Sequence, residues 1–289
     1  MIYSILNQEI IENSSLGRES SLDGFHFWTI PGFKLVGAVH DYTDMNTVEV
    51  FEVKKFYEKN EIWFAVIWII IYVVVMGNLR NNFGDASPYS FLGLLVIAIA
   101  LTIFIAKNKL GKKYGLVGLL DSKKYLYFIP FVLLVSVNFW FGVSMHYDLL
   151  HQVFAIITMA LVGYVEEIIF RGLLFKAIEK DGIKQAIIIS AVTFGAGHIV
   201  NLITGHATLD TILQMAYAIA IGFAFVMVFY KSKSLIPCII THSLVNITST
   251  FSAENTTATS IVWKYAPPLF IILVAGGYTL YLHKKVDNF

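Results

Sequence analysis

The chain has 289 residues, of which 57% are hydrophobic and only 14% charged, with a mean hydropathy of +0.69. A water-soluble globular chain carries about 25% charged residues, so a lipid bilayer has to be part of the solvent here. The net charge of +1 gives no global field for nucleic acid. The single cysteine, Cys238, excludes an internal disulfide and a thiolate metal cluster and reads as a small buried residue.

Residues 1–60 form a cytoplasmic N-terminal extension in this reading. They open with a mixed polar stretch (Asn7, Glu9, Glu12, Asn13) and lack the basic-then-apolar order of a signal peptide. Alternation such as Val48-Glu49-Val50-Phe51-Glu52-Val53 predicts some strand.

From residue 61 onward the chain is an all-α polytopic bundle of about eight transmembrane helices. Spanning a hydrocarbon core of about 30 Å takes roughly 20 apolar residues. The runs fall near Ile62–Leu79, Tyr89–Ala106, Tyr125–Val143, Leu149–Phe175, Gln185–Ile203, Thr211–Tyr230, Leu235–Phe251 and Ile261–Leu282. Pro267 and Pro268 are expected to kink the last run unless it begins after them.

The lysines support the same count. Lys54, Lys55 and Lys59 precede the first run; Lys107, Lys109, Lys112, Lys113, Lys123 and Lys124 follow the second. Lys176, Lys180 and Lys184 follow the fourth, Lys231 and Lys233 the sixth, and Lys284 and Lys285 the last. The intervening connections carry only Arg80 and Lys264. Basic residues concentrate on the cytoplasmic side, so both termini are expected there. This is an integral multi-pass protein, in the plasma membrane if the source is bacterial.

Ionisable side chains inside spans cost about 2.5–3.5 kcal/mol or more each and mark function by default. The fourth run contains Glu166, Glu167 and Arg171. Glu167 and Arg171 stand four apart on one face and could form a bidentate ion pair. Glu166 lies about 100° around the helix with no local partner, the situation of a carboxylate kept as a general base. The fifth run carries Phe194-Gly195-Ala196-Gly197-His198, whose small residues let another backbone approach closely. The seventh carries His242 and Asn246, one turn apart on one face. Structural ion pairing or interhelical hydrogen bonding would account for each of these alone. Together, at compatible depths on three helices, they predict one converging site. His26, His40, His146, His151, His206 and His283 fall outside it and read as surface residues.

The order Glu166-Glu167-x-x-x-Arg171, Phe194-x-x-x-His198 and His242-x-x-x-Asn246 resembles the CPBP family. This is the CAAX-protease and bacteriocin-processing group, also called Abi, which includes the eukaryotic prenyl-protein endopeptidase. The resemblance covers a protease-like core at about residues 149–251. It implies an intramembrane endopeptidase acting on a peptide or protein substrate, membrane-associated in the case of a prenylated chain, in a water-filled pocket opening to the cytoplasm. Glu166 and His198 would hold and deprotonate the attacking water, and His242 and Asn246 would donate to the oxyanion. Glu167, Arg171 and Phe194 would support the site.

The metal requirement stays open at this level. Glu166, His198 and His242 could hold Zn²⁺, but the His-Glu-x-x-His signature is absent, and a metal-free Glu-dependent mechanism fits as well. Two other classes compete: a non-proteolytic immunity or interaction protein that uses the cavity for binding, and a transporter with Glu166 as proton carrier.

Overall fold

The computed structural model describes residues 21–22, 25–26, 53–118, 126–199, 208–253 and 261–285. The chain divides into two units, Met1–Lys55 and Phe56–Phe289. Of the first, an antiparallel pair of two-residue strands is described, β1 (Ser21–Leu22) against β2 (Phe25–His26). The alternating stretch expected to form strand at 48–52 lies outside the described residues, and Val53 is helical.

The second unit is a helical bundle. Its helices are α1 (Glu61–Phe83), α2 (Pro88–Lys107), α3 (Ile129–Ser136) and α4 (Leu149–Glu167). They continue with α5 (Ile183–Ala196), α6 (Thr208–Ser232), α7 (Ile236–Ser249) and α8 (Ile261–Lys285). Each sits at one of the apolar runs of the sequence. Among the described residues, five stretches are long and apolar enough to cross a membrane: α1, α2, α4 with its continuation to Glu179, α6 and α8. The segments at Leu126–Phe139, Ile183–Ile199 and Ile236–Ser249 are shorter. The chain is a multi-pass membrane protein in which long helices alternate with short ones. The predicted extensions of α3 to Tyr125 and of α5 to Ile203 lie outside the described residues.

Local chemistry explains the boundaries. Ser87 caps α2 by accepting from the Tyr89 N–H at 3.1 Å, and Pro88 occupies the first turn, where its missing N–H costs nothing. Asp148 caps α4 in the same way, accepting from the His151 N–H at 3.1 Å. α8 runs through Pro267 and Pro268 instead of starting after them. The two prolines are its seventh and eighth residues, past the four N-terminal N–H groups that have no intrahelical partner, so each removes one intrahelical donor.

Lipid is the solvent of the outer faces. α1 buries Phe64, Ala65, Tyr72 and Met76 while exposing Ile67, Ile70, Ile71 and Val74. A helix apolar on all sides is stable only when its outward face also avoids water.

Three contacts position the centre of the bundle. α4 packs most heavily on α7, and α6 on both α5 and α8. At the α4–α7 crossing, a Cβ on Gly163 would lie 2.5 Å from the Ser243 backbone nitrogen and 2.8 Å from its Cα. Ser243 Oγ donates to the Ala160 carbonyl at 2.8 Å across the same crossing. At the α5–α6 crossing, a Cβ on Gly195 would meet the Ile219 backbone nitrogen at 2.8 Å and the Met215 carbonyl at 2.9 Å. This is the close approach expected of the small residues before His198. Gly197, by contrast, faces open space within 4 Å.

Gly163→Ala therefore forces α7 away from α4, beside His242, and overpacking of this kind costs about 1–3 kcal/mol. Gly197→Ala should be neutral. Thermal unfolding in detergent checks the pair, with a clear drop in Tm expected for the first variant alone.

Candidate active site

The site grows out of a change in helix type. α4 ends at Glu167, and Ile168–Phe175 continues as a π-helix before a last α-turn at Lys176–Glu179. The sequence alone reads as one uniform α-helix here. Such π segments are rare and gather at functional sites. All eight residues of this one are buried, including Arg171. Neighbouring helices use its polar groups: Ser190 Oγ of α5 donates to the Phe170 carbonyl at 2.9 Å.

Glu167 and Arg171 form the predicted pair, but it is not bidentate. Arg171 Nη1 donates to Glu167 Oε1 at 3.0 Å, and both side chains are 0% exposed. The guanidinium lies over the Phe194 ring, its Cζ 4.2 Å from the centroid. That seat turns Nη2 towards the Gly222 carbonyl of α6, 3.4 Å away. Glu167 Oε2 and Arg171 Nε are buried without a hydrogen-bond partner among the described residues.

His242 of α7 meets the same carboxylate. Its Nδ1 lies 2.8 Å from Glu167 Oε1, so this one oxygen serves both a guanidinium and an imidazole. The other ring nitrogen, Nε2, lies 3.5 Å from Glu166 Oε2. The His242 ring is further fixed by Phe194 in an edge contact at 5.5 Å and by Phe225 at 5.8 Å.

Glu166 is not unpaired. Tyr72 Oη of α1 donates to Glu166 Oε1 at 2.5 Å. Oε1 is thereby occupied and Oε2 faces the imidazole. The Glu166 side chain keeps 13% of its exposure, whereas Glu167, its neighbour in sequence, has none. The two carboxylates thus divide their tasks, Glu167 as internal anchor and Glu166 at the edge of accessible space.

His198 sits in the 3₁₀ turn Gly197–Ile199 that ends the described part of α5. Its ring meets the Phe194 edge at 6.1 Å, and it lies within electrostatic range of Glu166 and His242. Asn246 is half-buried one turn beyond His242, and its side chain makes no hydrogen bond with the other described residues. The structure thus brings Glu166, Glu167, Arg171, Phe194 and His242 into one cluster, sets His198 beside it, and leaves Asn246 a turn away.

A metal finds no ready ligand set. No three of the described His, Cys, Asp and Glu side chains are grouped to hold an ion. Of the three residues that could hold Zn²⁺, Glu166 and His242 lie 3.5 Å apart, and the second nitrogen of His242 is engaged by Glu167.

The remaining predicted surface histidines behave as such where described. His146 contacts the Ser252 carbonyl at 2.8 Å, and His151 pairs with Asp148 in an exposed position. His40 and His206 lie outside the described residues. Cys238 is buried against the Phe225 carbonyl.

Residues 149–248 match the model of the Rce1-like family, type II CAAX prenyl endopeptidases. That segment is thus similar to the Rce1-like family. The match covers about a third of the 289 residues and contains Glu166, Glu167, Arg171, Phe194, His198, His242 and Asn246. Tyr72 lies outside it. No curated protein and no solved structure matches the chain.

Removing one partner of a buried ion pair typically costs 3–5 kcal/mol, so Arg171→Met should unfold the protein at much lower temperature. The double variant Glu167→Gln/Arg171→Met should recover part of that loss, because no lone charge stays buried. Tyr72→Phe removes a hydrogen bond to a charged group worth about 1.5–3 kcal/mol and should lower Tm measurably, though less than Arg171→Met does. Any activity that uses Glu166 should fall about tenfold or more, read as kcat and KM separately.

Proposed function

We propose that the chain is an intramembrane endopeptidase of the CAAX-protease type, in which Glu166 activates the water that attacks the scissile peptide bond. One observation carries this reading: an accessible carboxylate is held in a fixed pose between Tyr72 and His242 within the Rce1-like segment. Binding alone does not call for a base beside a histidine.

In the proposed mechanism, Oε2 of Glu166 takes the proton of a water oriented by His198. The water oxygen bonds to the peptide carbonyl carbon, and the carbonyl oxygen becomes the oxyanion. His242 Nδ1–H stays anchored on Glu167. In the doubly protonated ring, Nε2–H is the donor available to the oxyanion, with the Asn246 amide as the second. Collapse of the tetrahedral intermediate breaks the C–N bond, and Glu166 returns its proton to the leaving amine. A positioned base typically contributes 10²–10⁴-fold and one oxyanion donor about 10²–10³-fold.

The lysine pattern supports both termini in the cytoplasm, and a water path to Glu166 would open towards that side. Prenylated or otherwise membrane-associated peptides are the substrate class in this reading, since the site lies within a bundle of apolar helices.

The test uses the purified full-length protein in detergent with prenylated and unprenylated fluorogenic peptides. Glu166→Ala and His198→Ala should each lower kcat at least about 100-fold, and cleavage should persist in a chelator. Loss of activity in the chelator, restored by Zn²⁺, would instead assign a metal. Full activity in Glu166→Ala would sink the mechanism. Absence of wild-type cleavage, with cellular function indifferent to both substitutions, would favour an immunity or binding protein.

A further inference from the structure

Away from the site, a cavity of about 250 Å³ lies where the lysine-rich connections of the second unit meet. Its cations are Lys112 and Lys113 from the segment after α2, Lys176 from the end of the π-helix, and Lys233 from the α6–α7 connection. Glu179 is the carboxylate in its lining, and Phe175 and Phe229 are part of its aromatic wall.

A cytoplasmic surface collects lysines in any membrane protein, so their number alone means little. Their mounting says more. The two connections are stitched together: the Leu235 N–H donates to the Gly115 carbonyl at 2.8 Å, and Ser234 Oγ donates to the Val117 carbonyl at 2.7 Å. Lys233 itself stands in the left-handed region at φ 58°, where a side chain is disfavoured and glycine is at home. The ordered turn fixes the Cα of Lys233 at the rim of the cavity, within reach of which its ammonium lies. The Lys233 ammonium is held below the usual lysine range by partial burial and by the charges of Lys176 and Lys231, against the pull of Glu179. Lys113 is already bonded to Tyr57 and Glu61, both at 2.6 Å, and Lys176 to Glu179. Lys233 lies over the Tyr230 ring, 3.8 Å from the other oxygen of the same Glu179 carboxylate, which a bound anion would have to displace. Lys112 is exposed. The arrangement is a concave cation cluster on an aromatic wall, smaller than the roughly 300–1,000 Å³ of sites for drug-sized ligands.

We propose that this pocket binds a phosphate group, Lys112 and Lys233 supplying the charge and Phe175 and Phe229 the apolar seat beside it. The phosphate can belong to an anionic lipid headgroup or to a free phosphate. The proposal is independent of the protease reading, and its test needs no enzymatic activity.

Full-length protein in a non-ionic detergent is titrated separately with phosphatidylglycerol, phosphatidylcholine and inorganic phosphate, and the shift in thermal unfolding gives each apparent affinity. Phosphatidylglycerol should stabilise and phosphatidylcholine should not, which assigns a lipid source. Equal or tighter saturation by inorganic phosphate assigns a soluble one. A lysine near an anionic headgroup contributes about fivefold in affinity. Lys112→Gln should therefore weaken binding about fivefold and Lys112→Gln/Lys233→Gln about 25-fold, whereas Glu179→Gln should tighten it. Lys284→Gln/Lys285→Gln, in the last turn of α8, is the control and should change nothing. Equal weakening by that control, or affinities unmoved by the pocket substitutions, would show diffuse attraction and overturn the proposal. So would the absence of any anion-dependent shift.

Discussion

One buried oxygen organises the centre of this protein. Glu167 Oε1 accepts from the Arg171 guanidinium at 3.0 Å and lies 2.8 Å from His242 Nδ1, in surroundings with no exposure to solvent. An ionised carboxylate there is tolerable only while its partners stay in place. That requirement ties α4, its π continuation and α7 into one rigid unit. Phe194 seals it from α5, and the Gly222 carbonyl receives the second arm of Arg171 from α6. Because both helices are fixed by charge, Glu166, the adjacent residue, inherits a defined position between Tyr72 and the same imidazole.

The backbone contacts and the polar contacts serve the same geometry. Gly163 admits the Ser243 backbone where any larger residue would separate α4 from α7. His242 follows immediately from Thr241 and precedes Ser243, so the closeness of that crossing sets its distance from both glutamates. Small residues let membrane helices approach, and polar pairs then select one register.

Much of this is legible in the amino-acid sequence alone. The helices sit at the apolar runs because the bilayer demands length and apolarity and little else, and the lysines separate the runs cleanly. Glu166, Glu167, Arg171 and His242 stand out because charge in a span is costly. Tyr72 does not, since a tyrosine in an apolar helix is unremarkable and its partner lies 94 residues on. The π character of Ile168–Phe175 is equally hidden, because an apolar run reads the same in either helix type. The sharing of one Glu167 oxygen by two donors, in place of a bidentate pair, depends on the seat that Phe194 offers the guanidinium. That is a tertiary fact with no local signature.

The shortness of α7 has its own consequence. Fourteen residues of helix span only about 21 Å, against a hydrocarbon core near 30 Å. The bilayer around α7 must thin, or neighbouring segments must cover the difference. His242, in the middle of that helix, is only about 10 Å of helical rise from either of its ends. Membrane thickness would thus bear on the site wherever the mismatch is absorbed at the α4–α7 crossing that holds the imidazole between its two carboxylates.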